Sequence, residues 1–175
     1  MSLNTHFAAP ITTALGRKGL LVALVALILD QVSKWWILYE LNLALLQQVK
    51  ISPLFSFTMV WNKGVSFGLL SSDGWGRWVL VVFSLGVAVF LIDWLRKGTK
   101  PVLTYGLALV AGGAIGNAID RIYYGAVVDF LDFSGLYFPW VFNIADAAIN
   151  IGVACLFLDV FLLSRSETKD DTKHS

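Results

Sequence analysis

Three polar side chains interrupt the apolar run that begins near residue 141: Asn143, Asp146 and Asn150. Their steps of three and four place them on one face of a helix. A carboxylate in hydrocarbon costs on the order of 3 kcal/mol on insertion scales, so Asp146 calls for a chemical reason to be there. A second carboxylate would supply one. Upstream, the string "VVDFLDF" holds Asp129 and Asp132, and the turn residues around Ser134 and Gly135 let the chain fold back toward Asp146. Alternation along an extended segment puts Asp129 and Asp132 on opposite faces, so one of them joins Asp146, and the pattern does not choose between them. Two carboxylates held close cannot both ionise comfortably, and the pair keeps one proton near neutral pH. That arrangement suits hydrolysis by water activation. The ionised member takes a proton from water, the protonated member hydrogen-bonds a scissile carbonyl, and the roles exchange as the amine departs.

Further polar residues recur inside apolar segments. Asp30 and Lys34 are four apart on one helical face and offset each other's desolvation as a pair. Gly113, Gly116, Asn117 and Asp120 form a stripe that faces protein, and Gly112 with Gly116 gives a Gly-xxx-Gly spacing for close helix contact. Asn117 reads equally as glue between helices and as a group that orients a reactive side chain. Asp120 and Arg121 read as a structural ion pair. Asp93 and Asp159 lie within a turn or two of one membrane face, where a carboxylate reaches water.

Other chemistries fit poorly. "GVSFG", residues 64–68, matches the Gly-x-Ser-x-Gly string of serine hydrolases, but the two histidines, His6 and His174, lie in polar end segments and supply no base. A Ser-Lys dyad fits poorly because Ser33 and Lys34 are adjacent, and adjacent helical side chains diverge, while Lys63, which precedes Ser66, is in a turn. One cysteine, Cys155, and those two histidines make no zinc cluster. Net charge is +1, too little to attract nucleic acid, and no phosphate loop or dinucleotide fingerprint occurs.

The elements that must hold these residues are membrane helices. Among the 175 residues 57% are hydrophobic and 14% charged, with a mean hydropathy of +0.72. Four apolar segments, residues 19–38, 75–95, 101–119 and 141–163, approach the roughly 20 residues that cross about 30 Å of hydrocarbon. Arg17, Lys18, Arg96, Lys97, Lys100, Arg165, Lys169 and Lys173 fall on one side, which the positive-inside rule makes cytoplasmic. Trp35, Trp36, Trp75, Trp78, Trp94 and Trp140 mark span ends at the headgroup layer. The first span runs through Asp30 and Lys34 with no convincing cleavage site and reads as retained. Residues 39–74 lie outside; their "KISPLFSFTMVWNKGVSFGLL" predicts a small antiparallel sheet with a turn at Asn62 to Gly64, preceded by a short interfacial helix. Residues 121–140 form a second external segment that can share this platform. The polar tail, 164–175, reads as disordered and cytoplasmic, after an N-terminal cytoplasmic stretch of residues 1–18. The whole is one membrane-embedded domain.

Taken in order, "DQVSK", "NKGVSFG", "GGAIGNAIDR", "VVDF" and "FNIADAAI" resemble bacterial lipoprotein signal peptidase, signal peptidase II, collinearly over about residues 30–152. The resemblance implies a four-helix aspartyl endopeptidase of the bacterial inner membrane, with both termini cytoplasmic and its site near the outer face. The implied substrates are diacylglyceryl-modified prolipoproteins cut before the lipidated cysteine, with no cofactor, inhibition by globomycin-type cyclic peptides, contact with membrane lipid and a monomeric state. It implies Asp129 and Asp146 as the catalytic pair, selecting Asp129 over Asp132. It gives Asp30, Lys34, Asn62, Gly64, Gly113, Asn117, Asp120, Arg121 and Asn143 support or substrate-contact roles. Val65 and Ser66 stand where the family usually has two alanines, which bears on pocket shape. Two rival classes stay open: a small ion-coupled transporter relaying through Asp30, Asp120 and Asp146, which predicts polar residues through the full membrane depth, and a non-catalytic lipid-binding scaffold.

Overall fold

The computed structural model describes residues 12–64 and 75–171. The turn signal at Asn62 to Gly64 is included, but Val65 and Ser66 lie outside the described residues. Among the described residues, four helices are long and apolar enough to cross a membrane, as composition predicts. α1 spans Ala14–Trp35 and opens at Thr13, whose hydroxyl oxygen accepts from the Gly16 N–H at 2.8 Å. It runs on through one wide π turn, Trp36–Glu40, so the first span is longer than residues 19–38. A four-residue helix α2, Leu43–Leu46, follows where a short surface helix was expected. α3 covers Trp75–Arg96. α4, Pro101–Tyr123, starts with proline in its first turn, where the missing N–H costs nothing. α5 occupies Ile144–Asp171.

Further boundaries differ from the sequence reading, and α4 runs past residue 119 to Tyr123. Val141 and Phe142 form a short strand, and the last span begins at Ile144. At the other end the α5 backbone stays helical to Asp171, where a disordered tail was expected from residue 164. No glycine or proline follows Gly152, so nothing in that stretch breaks the helix, and extending an existing helix avoids the nucleation penalty.

α4 is the central helix. Its apolar window is 61% buried, against 22 to 28% for the other three, and it packs on α1, α3 and α5. The glycines permit this approach. A Cβ on Gly112 would lie 2.5 Å from the Ala23 carbonyl oxygen of α1, and one on Gly113 would lie 2.5 Å from that of Ala145 on α5. The predicted Gly-xxx-Gly pair, Gly112 and Gly116, meets α1 at Ala23 and Asp30 within this bundle. Val82, Phe83, Val89 and Phe90 of α3 remain exposed, as expected for side chains whose solvent is lipid.

The two segments outside the spans meet in one antiparallel sheet of order β1-β2-β3-β4: Gln48–Lys50, Ser56–Asn62, Val127–Asp132 and Val141–Phe142. β2 carries one extra residue against β3, because Phe57 faces Leu131 and Val60 faces Asp129. A core of Ile37, Leu38, Leu43, Met59, Val128 and Phe130 fixes this sheet to the end of the first span. Gly125, at φ +77°, turns the chain from α4 into β3.

Candidate active site

Asp129 and Asp146 come from different kinds of element. Asp129 sits in the middle of β3, 1% exposed. Asp146 is the third residue of α5. Asn143, just before the helix, connects them. Its Nδ2 donates to Asp129 Oδ1 at 2.6 Å, and its Oδ1 accepts the Asp146 backbone N–H at 2.8 Å. The Asn143 backbone N–H in turn reaches Asp146 Oδ2 at 3.3 Å. Asn143 and Asp146 thus cap the start of α5 reciprocally, which is why "FNIAD" begins a helix where it does.

The remaining oxygens of the pair are also engaged. Asn117 of α4 donates Nδ2 to Asp146 Oδ1 at 2.8 Å. Asn62, the last residue of β2, donates Nδ2 to Asp129 Oδ2 at 3.0 Å. The Asn62 amide is itself held, because the Gly64 N–H donates to its Oδ1 at 3.0 Å, and Gly64 adopts φ 107°, a conformation that favours glycine. Arg121 hydrogen-bonds the Asn117 carbonyl at 3.3 Å and lies within electrostatic reach of Asp146, Asp129 and Asp120, in that order of strength.

Burial raises the Asp129 carboxyl from its usual 3.8 to about 7, and the nearby Asp146 charge adds to the rise. Hydrogen bonds from Asn62 and Asn143 oppose it without cancelling it. Asp132 belongs elsewhere: it accepts the Thr58 hydroxyl at 2.6 Å and the Ser134 N–H at 2.9 Å, and those two donors hold its carboxyl below the usual range. The strand alternation thus separates the two aspartates as read from sequence.

Behind the pair lies a buried ionic cluster. Lys34, 2% exposed, is 2.8 Å from Asp30 Oδ2 and 2.8 Å from Asp120 Oδ2. The expected Asp30–Lys34 pair is present. Asp120, however, pairs with Lys34, while its neighbour Arg121 donates to the Asn117 carbonyl; adjacent residues on a helix point in different directions. A Cβ on Gly116 would lie 2.5 Å from Asp30 Oδ2, so the α4 stripe makes room for this cluster, and Gly113 makes room for the start of α5. Gln31, not singled out from the sequence, donates to Asp30 at 3.2 Å and Asp120 at 3.1 Å. Its signal was its place inside "DQVSK". The Ser33 hydroxyl donates to the Asp30 carbonyl at 2.8 Å, so it does not pair with Lys34 as a nucleophile. Asp93 pairs with Arg96 and Lys97 at an exposed end, as read; Asp159 is buried rather than water-facing, and nothing in the structure explains that placement.

Beside Asp146 opens a cleft of about 430 Å³ lined by Asn62, Phe138, Trp140, Phe142, Asp146 and Asn150, among others. One carboxylate and two amides face aromatic walls, which suits an extended, largely apolar chain with exposed peptide groups. Among the described residues, no three His, Cys, Asp or Glu side chains converge as metal ligands.

Four spans that enclose carboxylates beneath a small sheet define a multi-pass membrane protein of the kind found among bacterial membrane enzymes. One such enzyme, solved by the in meso method at 2.3 Å, superposes with a TM-score of 0.72 at 28% identity, covering 90% of this chain and 94% of that one. The family model described as signal peptidase (SPase) II matches residues 22–162, and the chain belongs to that family of proteases. The lipoprotein signal peptidase of Caulobacter vibrioides is 49% identical, covering 87% of this chain and 91% of the relative. That of Methylorubrum extorquens is 46% identical, covering 82% and 85% respectively.

Proposed function

We propose that this protein is an aspartyl endopeptidase that removes the signal peptide from diacylglyceryl-modified prolipoproteins, with Asp129 and Asp146 as its catalytic pair. The observation that carries the reading is the linkage of these two carboxylates through Asn143 beside an aromatic cleft. Asp129, raised to about 7, holds the shared proton near neutral pH. Asp146 then acts as base. It takes a proton from water as the oxygen attacks the scissile carbonyl, while Asp129 gives its proton to the carbonyl oxygen. In the collapse, Asp129 recovers that proton as the carbonyl re-forms, and Asp146 passes its own to the departing amine of the lipidated cysteine. The starting protonation state is restored. Donors from Asn117, Asn143 and Asn62 keep both carboxylates aimed through the cycle.

We assign the ends of the bundle carrying Arg17, Lys18, Arg96, Lys97 and Lys100 to the cytoplasm of a bacterial cell, in the inner membrane. The sheet and the pair then lie near the outer face, where a lipid-modified substrate presents its cleavage site. The chain acts as one membrane-embedded unit and as a monomer, and globomycin-type cyclic peptides compete for the cleft. Substrate lipid stays in the bilayer as the peptide enters between the aromatic walls.

The test is cleavage of a diacylated prolipoprotein by purified, reconstituted protein. Asp129→Asn and Asp146→Asn each lose roughly 10²-fold to 10⁴-fold in kcat, the usual worth of positioned acid–base groups. Wild-type turnover by either variant rejects the assignment.

A further inference from the structure

Lys34 touches neither member of the catalytic pair, yet its partner Asn117 hydrogen-bonds Asp146 directly and accepts from Asn143, the residue that donates to Asp129. An ammonium has three N–H donors, and three acceptors surround this one: Asp30 Oδ2 at 2.8 Å, Asp120 Oδ2 at 2.8 Å and Asn117 Oδ1 at 3.2 Å. Those partners lead to the site. Asp30 accepts the Ala145 N–H at 2.9 Å with its other oxygen, next to Asp146, and Asp120 accepts the Val128 N–H at 3.0 Å, next to Asp129. Asn117 is the direct link. A side-chain amide can flip, exchanging its oxygen and nitrogen, and only one orientation gives Asp146 a donor. The Lys34 ammonium and Asn143 Nδ2 both point at Asn117 Oδ1, so the nitrogen faces Asp146 Oδ1 at 2.8 Å. A flipped amide would set two donors against Nδ2 and an oxygen against a carboxylate.

We propose that Lys34 is a positioning residue for the peptidase reaction: it fixes the orientation of the Asn117 amide and, through Asp30 and Asp120, the backbone beside each catalytic aspartate. This rests on the aspartyl reading above. Lys34 spends every donor on these partners and keeps none for substrate.

Replacing Lys34 alone leaves Asp30 and Asp120 buried together without their cation, which endangers folding of Lys34→Met; the informative protein is the triple variant Asp30→Asn, Lys34→Met, Asp120→Asn. It buries no unpaired charge from the cluster, and each new asparagine still offers an oxygen to its backbone N–H. Two readouts are made on the full chain in detergent. The first is kcat and KM on a diacylated prolipoprotein. With the Asn117 amide released, kcat falls by about 10²-fold, the cost of a small misplacement of reacting groups, while KM stays within about twofold. Adding Asn117→Ala to the triple variant then lowers kcat no further. The second is the side-chain amide spectrum of ¹⁵N-asparagine-labelled protein, in which the Asn117 NH₂ resonances of the wild type disappear from their position in the triple variant. Wild-type kcat, additive losses on removing Asn117, or an unmoved Asn117 resonance each overturn the assignment. Should the wild-type protein cleave no lipoprotein, the aspartyl reading falls, and the amide spectrum still judges Lys34.

Discussion

Asn143 and Asp146 satisfy each other across the first turn of α5: the asparagine oxygen takes the aspartate's N–H at 2.8 Å, and the aspartate's carboxylate takes the asparagine's N–H at 3.3 Å. A helix cap and a proposed catalytic position are therefore the same pair of residues. Asn143→Ala is expected to cost about 1 kcal/mol of stability as a lost cap. It also removes a donor from Asp129, so cleavage falls by more than the folded fraction does. Thermal unfolding and turnover measured on the same preparation separate the two effects.

Acidity at Asp129 sets the alkaline limit. In the proposed mechanism the pair works with one proton, and Asp129 gives it up near 7, so kcat is expected to decline as pH rises through about 7. Stability follows the same group. Between its ordinary 3.8 and about 7 the folded chain holds a proton that the unfolded chain has lost. This contribution is therefore present below 3.8 and lost as pH rises to about 7. Unfolding midpoints recorded from about pH 4 to 8 should fall for the wild type and flatten for Asp129→Asn.

Asp132 is a structural carboxylate only three residues from the proposed reactive one. Its bonds go to Thr58 and Ser134, on the far side of the sheet from the pair. Asp132→Asn should leave kcat within about twofold and cost on the order of 1 kcal/mol through the weakened Thr58 contact. A loss of turnover comparable to that of Asp129→Asn would place Asp132 in the reaction.

Gly113 meets the first turn of α5, and a Cβ there would lie 2.5 Å from the Ala145 carbonyl oxygen and 2.8 Å from the Ile149 side chain. Gly113→Val forces α5 away from α4, with an overpacking penalty of about 1–3 kcal/mol. Because Asp146 rides on the displaced turn, turnover drops even below the melting transition. Gly86, where an added Cβ would meet nothing within 4 Å, serves as the control: Gly86→Ala leaves both readings unchanged.

The four spans were legible because a hydrocarbon solvent permits few alternatives: runs of apolar residues of that length must be helices. The polar faces of α4 and α5 were equally plain from steps of three and four. The partner of Asp146 was not, since strand alternation separates Asp129 from Asp132 without saying which face turns inward. That depends on the extra residue in β2 and on Thr58 waiting for Asp132, both products of tertiary pairing. For a related reason the sequence hides the cation that pairs with Asp120. Its neighbour in sequence was visible, whereas Lys34 lies 86 positions away on another helix. The start of α5 was misplaced by three residues because Val141 and Phe142 are as apolar as the span they precede, and only pairing with Leu131 and Asp132 makes them a strand.

Asp129 follows the third span in chain order, and Asp146 opens the fourth. A chain emerging from the ribosome therefore carries half of the proposed reactive centre until the fourth span has been synthesised and docked against α4. On the proposed aspartyl mechanism, partly inserted protein, whatever its helical content, has nothing with which to cut a neighbour. Under that mechanism proteolytic competence arrives late in biogenesis, with the helix that brings Asp146.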